Sequence, residues 1–334
     1  MSTPDTVPAG LVDLASARVG GTALITNDEF FAEKENLLKP GRGIFIPDKY
    51  TDRGKWMDGW ESRRRRTPGH AWCVVQLGLR GIIKQVDIDT NHFLGNHPPF
   101  ASLGALDLAT DFRNDAAAVE ALPWMPILPQ SPLNPGSQNV FAVEGDETCT
   151  HVRLNIFPDG GVARLRVYGV VVPDWSKLKP GELVDLVAVE NGGVPLACSD
   201  MFFSSMNNLI MPGRSENMGD DWETKRRRGP GYDWIILKLG RPGAIEKLEV
   251  DTNHFKGNYP DTCSIEGCIA PDASTEELIN QTGWREILPQ TKLEAHKRHF
   301  FEAEVSPLEG CTHLRLNIFP DGGVSRLRAW GRPA

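Results

Sequence analysis

Two short stretches of this 334-residue chain set acid and base side chains at spacings that could move protons. Asp89-Thr90-Asn91-His92 and Asp251-Thr252-Asn253-His254 each place a carboxylate three positions before an imidazole. At the mouth of a strand, Asp-x-x-His can hold a proton-transfer pair, contribute to a metal site, or serve only as a hydrogen-bonded loop. Glu61 and Glu223, each directly after a tryptophan, add a second carboxyl to each copy. Matched cations, Arg153 with Arg315 and Arg164 with Arg326, accompany matched amides, Asn91 with Asn253 and Asn155 with Asn317. Of eight histidines only His92/His254 and His151/His313 recur, since His70 aligns with Tyr232 and His97 with Tyr259. Asp159 and Asp321 recur too, but each sits in "PDGG", where turn chemistry is sufficient explanation.

These pairings follow from an internal repeat. "RLNIFPDGGVARLRVYG" from Arg153 returns as "RLNIFPDGGVSRLRAWG" 162 positions later. "LVDLASARVGG" and "DEFFAEKENLLKPGR" return at an offset of 172, so the first copy carries ten extra residues around "GIFIPDKYTD". The reading is two homologous domains, residues 8–172 and 180–332, joined by a linker at 173–179.

Composition suits soluble globular domains: 40% hydrophobic, 24% charged, no low-complexity tract. No segment approaches the roughly 20 apolar residues that span a bilayer, and a cytoplasmic address is the default expectation. A net charge of −8 opposes non-specific binding to nucleic acid. The runs Arg63–Arg66 and Lys225–Arg228 therefore need a local explanation, a solvated loop being the simplest. Six cysteines without a C-x-x-C pair exclude a disulfide framework, and Cys149 and Cys311 read as core residues. No phosphate-binding glycine loop of the Walker or dinucleotide type is present, so neither nucleotide nor flavin is expected.

The elements that must position these groups are strands. Val152, Leu154 and Ile156 alternate with polar residues, as do Val86 and Ile88 with Asp87 and Asp89. "PDGG" predicts a tight hairpin, its return strand burying Ala163, Leu165 and Val167 and showing Arg164 and Arg166 outward. Helical periodicity is confined to "PDASTEELINQ", capped at Asp272 or Ser274. The expectation is an all-β chain of antiparallel β-sandwiches.

"DTNHFxGN", "W…ILPQ" and "RLNIFPDGGVxRLR", twice in tandem from about Leu11 to Gly331, resemble the allantoicase family. That resemblance implies two jelly-roll (galactose-binding-like) sandwiches and hydrolysis of allantoate to ureidoglycolate and urea. Release of intact urea requires substitution at the α-carbon, which wants an acid for the departing nitrogen and a base for water. On this basis Asp89, His92, Asp251, His254, Glu61 and Glu223 are the expected catalytic groups. Arg153, Arg164, Arg315 and Arg326 would anchor the carboxylate, and Asn91, Asn155, Asn253 and Asn317 the ureido arms. A divalent metal on the Asp/His pair stays open, as do a homo-oligomer and the question of whether both units act. A non-catalytic carbohydrate-binding-like sandwich pair, or a scaffold using its arginines as an interface, are the rival readings.

Overall fold

The computed structural model describes residues 7–108 and 116–334. The chain divides into two compact units, Met1–Val172 and Pro173–Ala334. In the first, strand order runs Val12–Asp13, Arg164–Val171, Ala71–Asp89, Thr148–Phe157, Phe100–Leu106, Met125–Pro132, with Thr22–Thr26 and Val140–Ala142 also paired to Ala71–Asp89. Every pairing is antiparallel. The second unit repeats this order with Val184–Asp185, Arg326–Pro333, Asp233–Asp251, Cys311–Phe319, Thr262–Cys268 and Arg285–Lys292.

One long strand ties each sandwich together. In Ala71–Asp89 the first residues pair with His151–Ile156, and the last with Arg164–Tyr168. The strand thereby passes from one layer to the other. It crosses at Gly78 and Gly81, where a Cβ would lie 2.3 Å from the Val19 oxygen and 2.5 Å from the Val170 oxygen. Val86, Ile88, Val152, Leu154, Ile156, Leu165 and Val167 are all completely buried. Their alternation with polar residues gives both layers one apolar face, and burial of those faces drives the fold. The outward carboxylates and guanidiniums are not solvated: Asp87, Asp89, Arg164 and Arg166 are 2–3% exposed, covered by loops.

The capped helix is Thr275–Asn280, with Ser274 and Glu277 forming a reciprocal capping box. Among the described residues, no helix is long and apolar enough to cross a membrane.

"PDGG" is not a hairpin. Thr148–Phe157 pairs with Ala71–Asp89 and Phe100–Leu106, whereas Arg164–Val171 pairs with Ala71–Asp89 and Val12–Asp13. The turn, with cis Phe157–Pro158, carries the chain between layers, and alternation alone could not reveal which neighbour each strand would choose. Gly161–Val162 pairs instead with Trp60–Glu61, as Gly323–Val324 does with Trp222–Glu223. Asp159 accepts the Arg65 backbone N–H at 2.7 Å, and Asp321 that of Arg227 at 2.8 Å. This explains why arginine run and turn recur together: each turn carboxylate holds the run's backbone.

The second glycine of each turn is required by packing. A Cβ on Gly161 would lie 2.0 Å from Phe93 Cε1, and one on Gly323 2.0 Å from Phe255 Cε1, both rings being completely buried. Gly161→Ala and Gly323→Ala should therefore each cost about 1–3 kcal/mol through overpacking. Gly257→Ala, where nothing lies within 4 Å, should leave the melting temperature nearly unchanged. Equal melting curves for Gly161→Ala and the parent would refute this account.

Candidate functional site

In the first unit the long strand ends at Asp89, and the chain turns sharply through Thr90, Asn91 and His92. His92 takes a left-handed backbone, φ 67°, uncommon for a residue with a side chain. Several bonds enforce it. The Thr90 hydroxyl donates to the Asn134 oxygen at 2.6 Å, and the Asn91 amide and His92 Nε2 both reach the Gly43 oxygen, at 2.8 and 3.1 Å. Phe93, the next residue, plugs into the core against Gly161.

Asp89 does not face His92. Its carboxylate receives Arg42 Nε and Nη2 at 2.9 and 3.0 Å and the Asn91 backbone N–H at 2.9 Å. The second unit repeats this with Arg214 on Asp251 and His254 Nε2 on the Ser215 oxygen. The Asp-x-x-His spacing therefore builds a loop clamp rather than a carboxylate–imidazole pair. Among the described residues, no cluster of three or more His, Cys, Asp or Glu side chains could hold a metal ion.

His92 instead shares a cavity with Glu61. Both line a cavity of about 410 Å³, together with Asn96, Lys55 and Phe45, within the roughly 300–1,000 Å³ typical of small-molecule sites. Glu61 accepts the Asn96 amide at 2.6 Å. Burial pushes its carboxyl above the usual range, and the Asn96 bond opposes the shift without cancelling it. With His92 Nε2–H donating to a carbonyl, the neutral ring keeps its Nδ1 lone pair as an acceptor. Phe45 sits beside the imidazole, ring centres 5.6 Å apart, and the Lys55 ammonium lies 4.4 Å over the Phe45 ring. Lys55 and Phe45 both come from the segment the second copy lacks, so pairing of the two copies could not identify them.

The four arginines do not converge here. Arg164 donates to the Gly41, Asp58 and Ala163 oxygens and to the Asp58 carboxylate, and Arg326 does the same with Gly213, Asp220 and Ser325. Both are loop braces, each with four of its five N–H donors committed to the protein. Arg153 and Asn155 lie on the sheet face where Trp72 packs against Val74 and Val119, with the guanidinium 5.0 Å over the Trp72 ring. Arg315 lies likewise over Trp284 at 4.8 Å, and Asn317 beside it donates to Ser264. His151 and His313 are buried within the sheet, and burial pushes His313 down to about 4, so it stays neutral there.

The second unit differs at three positions that meet. Gly43, Gly59 and Ala163 of the first unit correspond to Ser215, Asp221 and Ser325. The two serine hydroxyls bond each other at 2.6 Å, and the Asp221 carboxylate is fully buried, 3.7 Å from Arg326 Nη1. Neither of its oxygens has a hydrogen bond of regular geometry. Burial raises the Asp221 carboxyl, while the nearby serines, Arg326 and His254 counter the shift. Glu223 beside it is raised by burial, lowered by Asn258 and raised again by Asp221. Asn253, buried at 6% exposure, contacts Ser215 and His254 Nε2, and the His254 backbone N–H donates to His296 Nδ1 at 2.9 Å. Each unit has thus kept the clamp and changed what surrounds its histidine.

Comparison with known proteins places this architecture. The allantoicase repeat model matches twice, over residues 12–172 and 184–334. The chain is 50% identical over 321 residues to a probable allantoicase of Burkholderia mallei, covering 96% of this chain and 94% of that protein. It is 50% identical over 317 residues to an allantoicase of Dictyostelium discoideum, covering 95% and 85%. The crystal structure of allantoicase from Saccharomyces cerevisiae superposes with a TM-score of 0.83 at 36% identity, covering 97% of this chain and 94% of that one. With both repeats matched and the same tandem jelly-roll fold throughout, the chain belongs to the allantoicase family.

Proposed function

We infer that the chain is a hydrolase of carbon–nitrogen bonds in linear amidines, converting allantoate to ureidoglycolate and urea in purine and allantoin degradation. Family membership over nearly the whole chain supports the reaction. The convergence of Glu61 and His92 on one cavity supports the first unit as a place where it proceeds. We assign the chemistry to the cytoplasm, with allantoate as the small-molecule partner and neither nucleic acid nor membrane involved.

Water and allantoate combine so that oxygen bonds to the α-carbon while the bond from that carbon to one ureido nitrogen breaks. His92 Nδ1 takes the proton lost by water, and Glu61, whose carboxyl burial shifts upward, returns one to the departing nitrogen. Lys55, the cation lining the cavity, meets the substrate's carboxylate, and Asn96 the ureido arm beside Glu61. In the second unit Glu223 and His254 stand in the corresponding places, without a counterpart of the Lys55 segment. Asp89, Asp251, Asn91 and Asn253 act by holding the histidines.

Four kinds of outcome test this. Purified protein should release urea from allantoate in a colorimetric assay, whereas ammonia with carbon dioxide would assign a different amidohydrolase reaction. His92→Asn and Glu61→Gln should each lower kcat by ~10²–10⁴-fold at unchanged melting temperature. The same changes at His254 and Glu223 report whether the second unit contributes, and full activity in a folded His92→Asn/His254→Asn double variant would end the histidine assignment. Because burial raises the Glu61 carboxyl and its protonated form is the active one, kcat should fall as pH rises through that raised value; Glu61→Gln should lose this limb of the profile. Lys55→Met should raise KM for allantoate ~10-fold or more with a smaller change in kcat. An unaltered KM would remove Lys55 from the site.

A further inference from the structure

The two units differ at a cross-strand pair that does not line the cavity. In the second unit Arg315 stands directly opposite Glu266. A single carboxylate oxygen of Glu266 receives Arg315 Nε at 2.8 Å, Arg315 Nη2 at 2.7 Å and the Asn317 amide at 2.8 Å. Arg315 lies over Trp284, and the Asn317 amide donates also to the Ser264 hydroxyl at 3.2 Å. This is a complete carboxylate receptor, filled by a tethered carboxylate.

The first unit keeps the arginine, the amide and the serine of that receptor without the carboxylate, its guanidinium resting on Trp72, the counterpart of Trp234, rather than on the counterpart of Trp284. Arg153 stands opposite Gly104, the position corresponding to Glu266. Arg153 lies over Trp72, and the Asn155 amide donates to the Ser102 hydroxyl at 3.1 Å. Among the described residues, the Arg153 guanidinium makes no hydrogen bond and no ion pair, and its Nε is buried without a partner. Glu120 accepts the Trp72 indole N–H and does not fill the gap. His70 closes the other side, its Nε2 3.2 Å from the Asn155 carbonyl oxygen. Arg153 as a whole is half-buried, but its shielded Nε lacks an acceptor, and the natural acceptor for a planar guanidinium fork is a carboxylate.

The geometry points to a seat for a small organic carboxylate in the first unit, formed by the Arg153 guanidinium and the Asn155 amide beside Trp72, with Glu266 on Arg315 as its occupied form in the second. The ligand must bring an anionic group of carboxylate size, because the receptor in the second unit closes on one oxygen with three donors. Substrate and free metabolic carboxylates share this chemistry. Burial works against the Arg153 charge, and the nearby Glu120 carboxylate offsets this only in part.

The test uses the full chain with Lys55→Met, which removes the cavity's cation, and radiolabelled glycolate in equilibrium dialysis at low ionic strength. This protein should bind one equivalent of glycolate per chain. Adding Arg153→Gln should weaken that binding by roughly tenfold or more. Gly104→Glu should abolish it by supplying the tethered carboxylate; Trp124 Cβ would lie 2.9 Å from the new Cβ, so Arg153→Gln stands as the variant free of that crowding. Glu266→Gly should open a second equivalent at Arg315. A kinetic arm with Lys55 intact separates the two sources and alone rests on the proposed reaction. If Arg153→Gln raises KM for allantoate ~10-fold or more while kcat holds, the seat takes the substrate; if turnover is unchanged while glycolate binding is lost, it takes another carboxylate. Absence of glycolate binding, or equal binding in a folded Arg153→Gln variant, overturns the proposal, and neither result bears on urea release.

Discussion

Each unit depends on one contact, an aromatic ring seated on a glycine that has no room for a side chain. Phe93 lies on Gly161 and Phe255 on Gly323. Burying such a ring is worth roughly 1.5–3 kcal/mol, and here it does more than fill space. The phenylalanine ends the loop that carries the histidine, and the glycine ends the turn that carries the chain between layers. Fixing one against the other sets where His92 can stand relative to Glu61, because Gly161 is also the residue paired with Glu61. A single close approach thereby registers the loop, the turn and the acid-bearing strand.

Around that contact the polar groups are arranged for rigidity. Asp89 and Asp251 are almost wholly buried, and each is neutralised by a two-pronged guanidinium. Such a pair is expensive to break because the remaining charge would have no solvent. The cost makes the loop conformation unique more than it makes the protein stable. Arg164 and Arg326 apply the same logic one layer out, binding backbone oxygens of loops more than a hundred residues away in sequence. Much of what looks catalytic in the sequence is therefore scaffolding for a smaller set of groups.

The repeat, the alternating strands and the Ser274 cap were legible because each is a local pattern. The partner of a strand is not local: Thr148–Phe157 and Arg164–Val171 read as a hairpin because they are consecutive and joined by Asp-Gly, yet both prefer the long strand between them. Asp89 and His92 read as a pair because they are three residues apart, yet the carboxylate is claimed by Arg42, 47 residues distant. Matching the two copies found Glu61 and His92 and hid Lys55, Asp221 and Gly104, since a search for what both copies share discards what one copy alone possesses. The unmatched positions proved to be where the units differ in chemistry.

The segment that brings Lys55 and Phe45 illustrates what covalent fusion permits. Had two identical subunits assembled from separate chains, any hairpin added at one mouth would have appeared at the other, and symmetry would have enforced equal cavities. On one polypeptide the copies are separately encoded, so one mouth can be lengthened while the other stays short. The fold is duplicated, but the entrances are not obliged to be.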